Sequence, residues 1–161
     1  MANFEGALRL LESKDAGDRM AGVLELGRLK DERSVSVLIG VLPDEGVRAL
    51  ACWALGRLQD AAAVPSLLTM LADEDPKVRH EAVLALARIG DKRAATPISK
   101  LLLLDSVPKV REECAEALLA FPSKEAAAAL KKAAASDDSK AVRERANKSL
   151  VALRLKELGV L

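Results

Sequence analysis

The chain has 161 residues, half of them apolar and 30% charged, so one folded domain over residues 1–161 can bury a core without a disulfide or a structural metal. The 25 Lys and Arg residues nearly balance the 24 Asp and Glu residues, which excludes a net field that would hold nucleic acid or an acidic membrane surface. With 2% aromatic residues and an excess of Ala, Leu and Val, the composition predicts packed helices.

The first predicted helix covers residues 4–11, and after it a phrase of about twelve residues recurs along the chain. Its clearest copies are residues 47–58 and 78–89, and their apolar residues at helical spacing predict a second helix with one buried face. Each copy carries a marker arginine, and the intervals of 29 to 32 residues predict a stack of equivalent helix pairs: Arg19, Arg48, Arg79, Arg111 and Arg143.

The stretches between the copies predict the first helix of each pair. Residues 63–71 and 95–102 carry a proline in the first turn, where a missing N–H is tolerated. Asp31, Asp60 and Asp91 stand just ahead of first helices, as expected of helix caps and turns. We therefore predict an all-α solenoid of antiparallel helix pairs, with about four full units plus terminal half-units.

The phrase Val-Arg-x-x-Ala-x-x-Ala-Leu-Gly-x-Leu at residues 47–58, with Ala-Val-Pro-x-Leu at residues 63–67, resembles the HEAT-like repeats associated with phycobilin lyases. The resemblance covers nearly the whole chain and implies a right-handed α-solenoid. Residues 119–122 depart from the phrase, so we expect less regular packing there. Similar repeats serve scaffolds, adaptors, lyase subunits and metalloenzymes, and the resemblance alone does not choose among them.

Binding residues are expected on the second helices, which line the concave face of solenoids that resemble this one. In the first three copies the outward positions are largely apolar and include the only tryptophan, a predicted anchor for a partner. The alternative is that this tryptophan belongs to the core, because tryptophan is highly buried on average. The apolar strip consists of Met20, Leu24, Leu50, Trp53 and Leu84. His80 is predicted to lie beside this strip.

Two charged features accompany the apolar strip. The arginine row, nine residues after three of the markers, suits an acidic partner or pairs with the turn residues Asp31, Asp60 and Asp91. The glutamate patch either orients a partner or is simply solvated. The arginine row consists of Arg28, Arg57 and Arg88, and the glutamate patch consists of Glu112, Glu113 and Glu116.

His80 and Glu81 resemble the His-Glu motifs of deoxyhypusine hydroxylase, a HEAT-repeat enzyme that uses several such pairs to hold two irons. Here His80 is the only histidine, so the pair is at best a weak candidate metal site. Cys52 and Cys114 fall on inward-facing positions and are predicted to be inert core thiols. We predict no catalytic residue, no cofactor and no functional metal.

The favoured hypothesis is a non-catalytic scaffold or adaptor module that binds another protein or peptide. The start of the chain has no targeting segment and no apolar run is long enough to span a membrane, so the protein is expected to be soluble. The two cysteines fit no disulfide framework, which predicts a cytoplasmic location. It is expected to be a monomer, or a weak homodimer through the C-terminal edge at Leu158, Val160 and Leu161. Alternatives are an accessory subunit of a bilin lyase-like enzyme, a metal-binding hydroxylase-like protein and, against the balanced charge, a DNA-binding protein similar to HEAT-like glycosylases.

Overall fold

The structure, a computed structural model, describes residues 3–29 and 31–160, with the side chain of Glu157 left out. These residues contain α-helices joined by short turns and no strand. Single 3₁₀ turns lead into the fifth and seventh helices and follow the eighth. The ten helices are α1 Phe4–Leu11, α2 Ala16–Leu29, α3 Arg33–Gly40, α4 Arg48–Leu58, α5 Val64–Met70, α6 Pro76–Ile89, α7 Ala95–Leu104, α8 Pro108–Ala117, α9 Lys124–Ser136 and α10 Lys140–Glu157.

Successive helices pack in pairs, and the chain divides into two compact units. The first unit, Met1–Ile89, holds α1 to α6, and the second, Gly90–Leu161, holds α7 to α10. In the first unit the second helices also pack on one another, α2 on α4 and α4 on α6. The terminal helices are paired as well, α1 with α2 and α10 with α9, so the described residues form five helix pairs. That one domain spans residues 1–161 stays a prediction.

Each unit has its own leucine-rich core. Leu26, Leu55 and Leu86 occupy equivalent positions of α2, α4 and α6 and are completely buried. In the second unit Leu118 and Phe121 are buried where the repeated phrase breaks down. There α8 ends at Ala117 and a 3₁₀ turn follows, so the helix type changes at this point, and the less regular packing expected there stays a prediction.

Aspartates cap the turns, as their positions predict. The carboxylate of Asp60 accepts a hydrogen bond from the backbone N–H of Ala62, and that of Asp91 accepts one from Arg93. Asp31 binds the N–H of Arg33 in the same way. These contacts satisfy backbone donors that have no partner inside the helix, so each first helix begins at a defined residue.

Two glycines let consecutive second helices of the first unit approach closely. A Cβ atom on Gly27 would lie 3.0 Å from the Cβ of Ala54, and one on Gly56 would lie 2.7 Å from the Cα of Ala85. The glycine of the repeated phrase is therefore a packing residue, because a side chain there would meet the backbone of the next helix.

We expect Gly56→Ala to destabilise the protein by about 1–3 kcal/mol, although alanine is the better helix former. The new methyl group would force α4 and α6 apart at a contact made by backbone. Urea unfolding measures the change as a lower midpoint at constant slope. Gly40→Ala is the matched control, because nothing lies within 4 Å of its Cβ position. Equal midpoints for the two variants would contradict the packing role.

The marker arginines link each second helix to the turn of the following pair. Arg19 binds Asp44 and Arg48 binds Asp73, each with a distance of 2.7 Å between nitrogen and carboxylate oxygen. Arg48 also donates to the carbonyls of Leu42 and Pro43, at the turn that precedes its own helix. In the first unit these arginines thus tie neighbouring turns together.

In the second unit the same link is almost completely buried. Arg111 donates two hydrogen bonds of 2.8 Å to the carboxylate of Asp137, and both side chains are only 8% exposed. Arg111 also binds the carboxylate of Asp138 and, at 2.7 Å, the carbonyl of Asp105. Arg143 likewise donates hydrogen bonds to the backbone carbonyls of Asp137 and Asp138.

Because of these ion pairs, we expect the stability of the protein to decrease at acid pH. Burial raises the pKa of Asp137, but the hydrogen bonds from Arg111 and from the backbone N–H of Ser139 outweigh it and hold that pKa below its usual value. The hydrogen bond from Arg19 likewise lowers the pKa of Asp44. A carboxyl whose pKa is lower in the folded state stabilises the protein above its unfolded pKa, about 3.9, and that contribution disappears as the pH falls through the folded pKa.

We therefore expect the melting temperature to fall steeply below about pH 4. Circular dichroism melts between pH 7 and pH 2 measure this dependence. In Asp137→Asn the fall should be shallower, because one of the titrating groups is gone. A melting temperature that stays constant down to pH 2 would contradict the stabilising role of the ion pairs.

Candidate binding surface

The apolar strip lies at the surface of the first unit, on its three second helices. Met20 and Leu24 come from α2, Leu50 and Trp53 from α4, and Leu84 from α6. Met20 is 43% exposed, and the other four residues are half-buried. The structure thus brings the five predicted residues onto neighbouring helices that pack on one another.

The Trp53 ring lies against α2 and contacts one cation. Its Cζ3 atom lies 3.6 Å from the Cβ position of Gly27, so the missing side chain of that glycine leaves room for the indole against α2. The guanidinium of Arg57, one turn later on α4, lies over the ring at 5.2 Å from its centroid, a cation–π contact. The half-buried ring is fixed in position while part of it remains accessible.

The arginine row is exposed, and its predicted carboxylate partners bind other groups. Asp31 pairs with Arg33, and Asp91 pairs with Arg93, each at 2.7 Å. Asp60 caps its own turn. Among the described residues the structure shows no ion pair for the three arginines of the row. Each is the last basic residue of its helix, where the helix dipole favours a cation, and each keeps its guanidinium available to a partner.

Gln59 is a residue of this surface that the sequence pattern did not indicate. It adopts a left-handed conformation at the end of α4, with φ at 55°. Its side-chain amide donates a 2.8 Å hydrogen bond to the carbonyl of Arg88 at the end of α6. The ends of α4 and α6 that carry two arginines of the row are thereby joined.

The glutamate patch lies on α8, in the second unit, and its charge is largely compensated. Arg145 of α10 lies 2.9 Å from Glu116 and 3.6 Å from Glu112. Lys109 also contacts Glu112 at 3.2 Å. Glu113 is half-buried. These ion pairs stabilise the packing of α8 and α10, which leaves less negative charge for a partner.

His80 and Glu81 are adjacent on α6, with 3.7 Å between Nδ1 and Oε1. Both side chains are about a quarter exposed, at 25% and 27%. Within residues 3–29 and 31–160 no group of three or more His, Cys, Asp or Glu side chains is placed to hold a metal ion. Cys52 and Cys114 are completely buried, and burial raises the pKa of the Cys52 thiol to about 12, as an inert core thiol requires.

The second unit has an open cavity of about 320 Å³ between α7 and α9, another feature that the sequence did not indicate. Apolar side chains such as Leu103 and Ala129 line it, with Lys100 and Lys132 also present. The Ser99 hydroxyl at this cavity is buried and has no hydrogen-bond partner among the described residues. A serine on the buried side of α7 is its only sequence signal.

The predicted C-terminal edge is apolar and exposed where the structure describes it. Leu158 is 75% exposed and Val160 is 64% exposed, whereas Leu161 lies outside the described residues. Self-association through this edge stays a prediction. In the described part of the chain, no helix combines the length and the apolar character that a membrane crossing requires.

The fold and the repeated arginine–aspartate links define a helical-repeat solenoid protein. The HEAT repeats family matches residues 41–118 and 66–151, so the chain belongs to that family. The predicted fold class and the resemblance to HEAT-like repeats are thereby confirmed. No curated protein sequence matches the chain.

Solved structures show the same architecture. The phycocyanin lyase complex of CpcE and CpcF from Nostoc sp. PCC7120 contains a chain that is 27% identical, with a TM-score of 0.82 over 98% of this chain and 67% of that one. A designed armadillo repeat protein is 19% identical, with a TM-score of 0.65 over 98% and 89% of the two chains. Human deoxyhypusine hydroxylase is 18% identical, with a TM-score of 0.51 over 94% and 84%, and supports the fold alone.

Proposed function

We propose that this chain is a non-catalytic binding module for another protein, and that the apolar strip and the arginine row form its binding surface. The observation that carries the proposal is the position of Trp53, a half-buried ring held between Gly27 and the Arg57 guanidinium. A large, pre-oriented aromatic side chain with apolar neighbours is typical of the residues that dominate binding energy. Polar and charged groups at its border would orient the partner.

The comparison with the phycocyanin lyase complex supports a protein partner. There a HEAT-like chain is assembled with a second chain, CpcE with CpcF. We extend that property to this chain as part of the proposal. The buried Cys52 and Cys114 offer no accessible nucleophile for chemistry of their own, which favours binding over catalysis.

Site-specific photo-crosslinking tests the proposal. A photoreactive amino acid replaces Met20, which is 43% exposed at the apolar strip, and in a matched control it replaces Val151, which is 49% exposed on α10. In a lysate of the source cells the residue-20 probe should form one discrete protein adduct that the residue-151 probe does not form. No adduct at residue 20, or the same adducts at both positions, would refute the assignment of the surface.

A second candidate function is an accessory subunit of a bilin lyase-like enzyme, favoured by the 27% identity to the phycocyanin lyase chain. Such a subunit would hold a tetrapyrrole or its acceptor protein. Titration of the purified protein with phycocyanobilin tests this candidate. A saturable shift in visible absorption would support it, and an unchanged bilin spectrum would remove the direct tetrapyrrole role.

A further inference from the structure

We propose that the arginine row recognises an acidic, proline-rich segment of the partner in polyproline II conformation, with a carboxylate at every third residue. This inference rests on the proposed function, because it assigns the chemistry of the partner at the same surface. It is carried by the arginines that lack ion pairs, by the spacing of their helices and by the aromatic ring beside them.

The absence of carboxylate partners for the arginine row among the described residues indicates the charge of the partner. Arg28, Arg57 and Arg88 are exposed and have no carboxylate partner among the residues that the structure describes. The first unit as a whole carries 11 basic and 14 acidic residues, a net charge of −3. A long polyanion such as a nucleic acid would be repelled by that unit, whereas a short segment with a few carboxylates can bind the row locally.

The helix packing determines the spacing of the row. Packed helices lie about 8–10 Å apart, and the close contacts of Gly27 with Ala54 and of Gly56 with Ala85 show that α2, α4 and α6 are packed directly on one another. Gly27 immediately precedes Arg28, and Gly56 immediately precedes Arg57, so these close helix contacts lie next to the first two arginines of the row. The hydrogen bond from Gln59 to the carbonyl of Arg88 extends this arrangement to α6.

The spacing of the packed helices favours one backbone conformation of the bound segment. In polyproline II, side chains three residues apart share a face and lie about 9 Å apart, within the range of about 8–10 Å for packed helices. In a β-strand, residues three apart point to opposite faces, and residues two apart are only about 7 Å apart. An acidic segment of seven residues in polyproline II would thus present one carboxylate to each of the three arginines.

Trp53 supplies the apolar part of the same recognition. Proline-rich segments bind to aromatic surfaces because their conformation is preformed and little entropy is lost. The Trp53 ring lies against α2 at Gly27 and under Arg57 of the row. Proline rings between the carboxylates would therefore contact the indole while the carboxylates bind the arginines.

Two peptides of equal composition test the inference. The probe is Glu-Pro-Pro-Glu-Pro-Pro-Glu with blocked termini, and the control is its isomer Glu-Glu-Glu-Pro-Pro-Pro-Pro. The emission of Trp53, the only tryptophan, reports binding. We expect the spaced peptide to bind with a submillimolar dissociation constant and at least about tenfold more tightly than the isomer.

Variants of the three arginines test whether the peptide binds at the arginine row. Arg28→Gln, Arg57→Gln and Arg88→Gln should each weaken binding of the spaced peptide by about tenfold. Arg33→Gln is the matched control, because Arg33 is an exposed arginine of the same unit that pairs with Asp31 away from the row, and binding should not change. The Arg88 and Arg28 variants leave Trp53 and the Arg57 guanidinium over it in place.

Several outcomes would overturn the inference. Equal binding of the two peptides, no binding of either, or tighter binding of a helical peptide with glutamates seven residues apart would each do so. Tighter binding of an oligothymidylate would assign the row to phosphate instead. If the spaced peptide does not bind but the residue-20 probe still forms its adduct, only this inference is wrong. If the peptide binds but no adduct forms, the proposed protein partner is wrong.

Discussion

Arg111→Ala should lower the free energy of unfolding of the second unit by about 3–5 kcal/mol. This is the largest effect on stability that we expect from removing a buried charged side chain. Its guanidinium and the Asp137 carboxylate are each only 8% exposed. Removal of the arginine would leave the buried Asp137 carboxylate without its cation, although the backbone N–H of Ser139 would still donate to it, and would take one donor from the carbonyl of Asp105. An unpaired buried charge is far more costly than the loss of an exposed ion pair.

Chemical denaturation measures this effect, and two variants make the result interpretable. Arg93→Ala removes an exposed arginine of the same unit, 56% exposed and paired with Asp91, and should change stability little. If Arg111→Ala does not fold, Arg111→Lys keeps the charge, loses the two-pronged contact with Asp137 and should unfold at an intermediate denaturant concentration. A midpoint for Arg111→Ala equal to that of Arg93→Ala would contradict the structural role of the buried link.

Trp53→Ala should weaken binding of the partner by at least about 2 kcal/mol, or roughly 30-fold in dissociation constant. The indole is the largest side chain of the apolar strip and is already oriented by Gly27 and Arg57, so little entropy is lost when it is covered. The affinity is measured by titration with the protein that the residue-20 probe captures.

The control for Trp53→Ala is Val151→Ala, which truncates an exposed apolar residue of α10 in the second unit. It should leave the affinity unchanged. Circular dichroism of both variants verifies that they remain folded. If Trp53→Ala binds its partner as tightly as the wild type, the indole is not the anchor, and the energy of binding must come from the arginine row.

The repeated features of the fold could be predicted from the sequence because each is set by a local rule. The interval between Arg48 and Arg79 gives the repeat length, and an arginine in the first turn of the second helix lies close to the turn before it. Apolar spacing then identifies the buried face, as Leu55 and Leu86 show. These features recur in each helix pair, so a single sequence contains several copies of the same signal.

The ion-pair partners of the charged side chains could not be predicted in this way. Asp31 is close in sequence both to Arg28 and to Arg33, and only the geometry of the turn shows that it binds Arg33. The pairing of Arg145 with Glu116 depends on how α8 and α10 pack, which spacing does not specify. The left-handed backbone of Gln59 is likewise a property of the folded turn.

The accessibility of Trp53 is the property on which the proposed binding surface most directly depends. Its emission spectrum and acrylamide quenching in the folded protein measure that accessibility without any variant, because the chain has one tryptophan. We predict an emission maximum between those of buried and fully exposed indole, ready quenching by acrylamide and protection from quenching when the captured partner is added. A blue-shifted signal that acrylamide does not quench and the partner does not alter would contradict the surface.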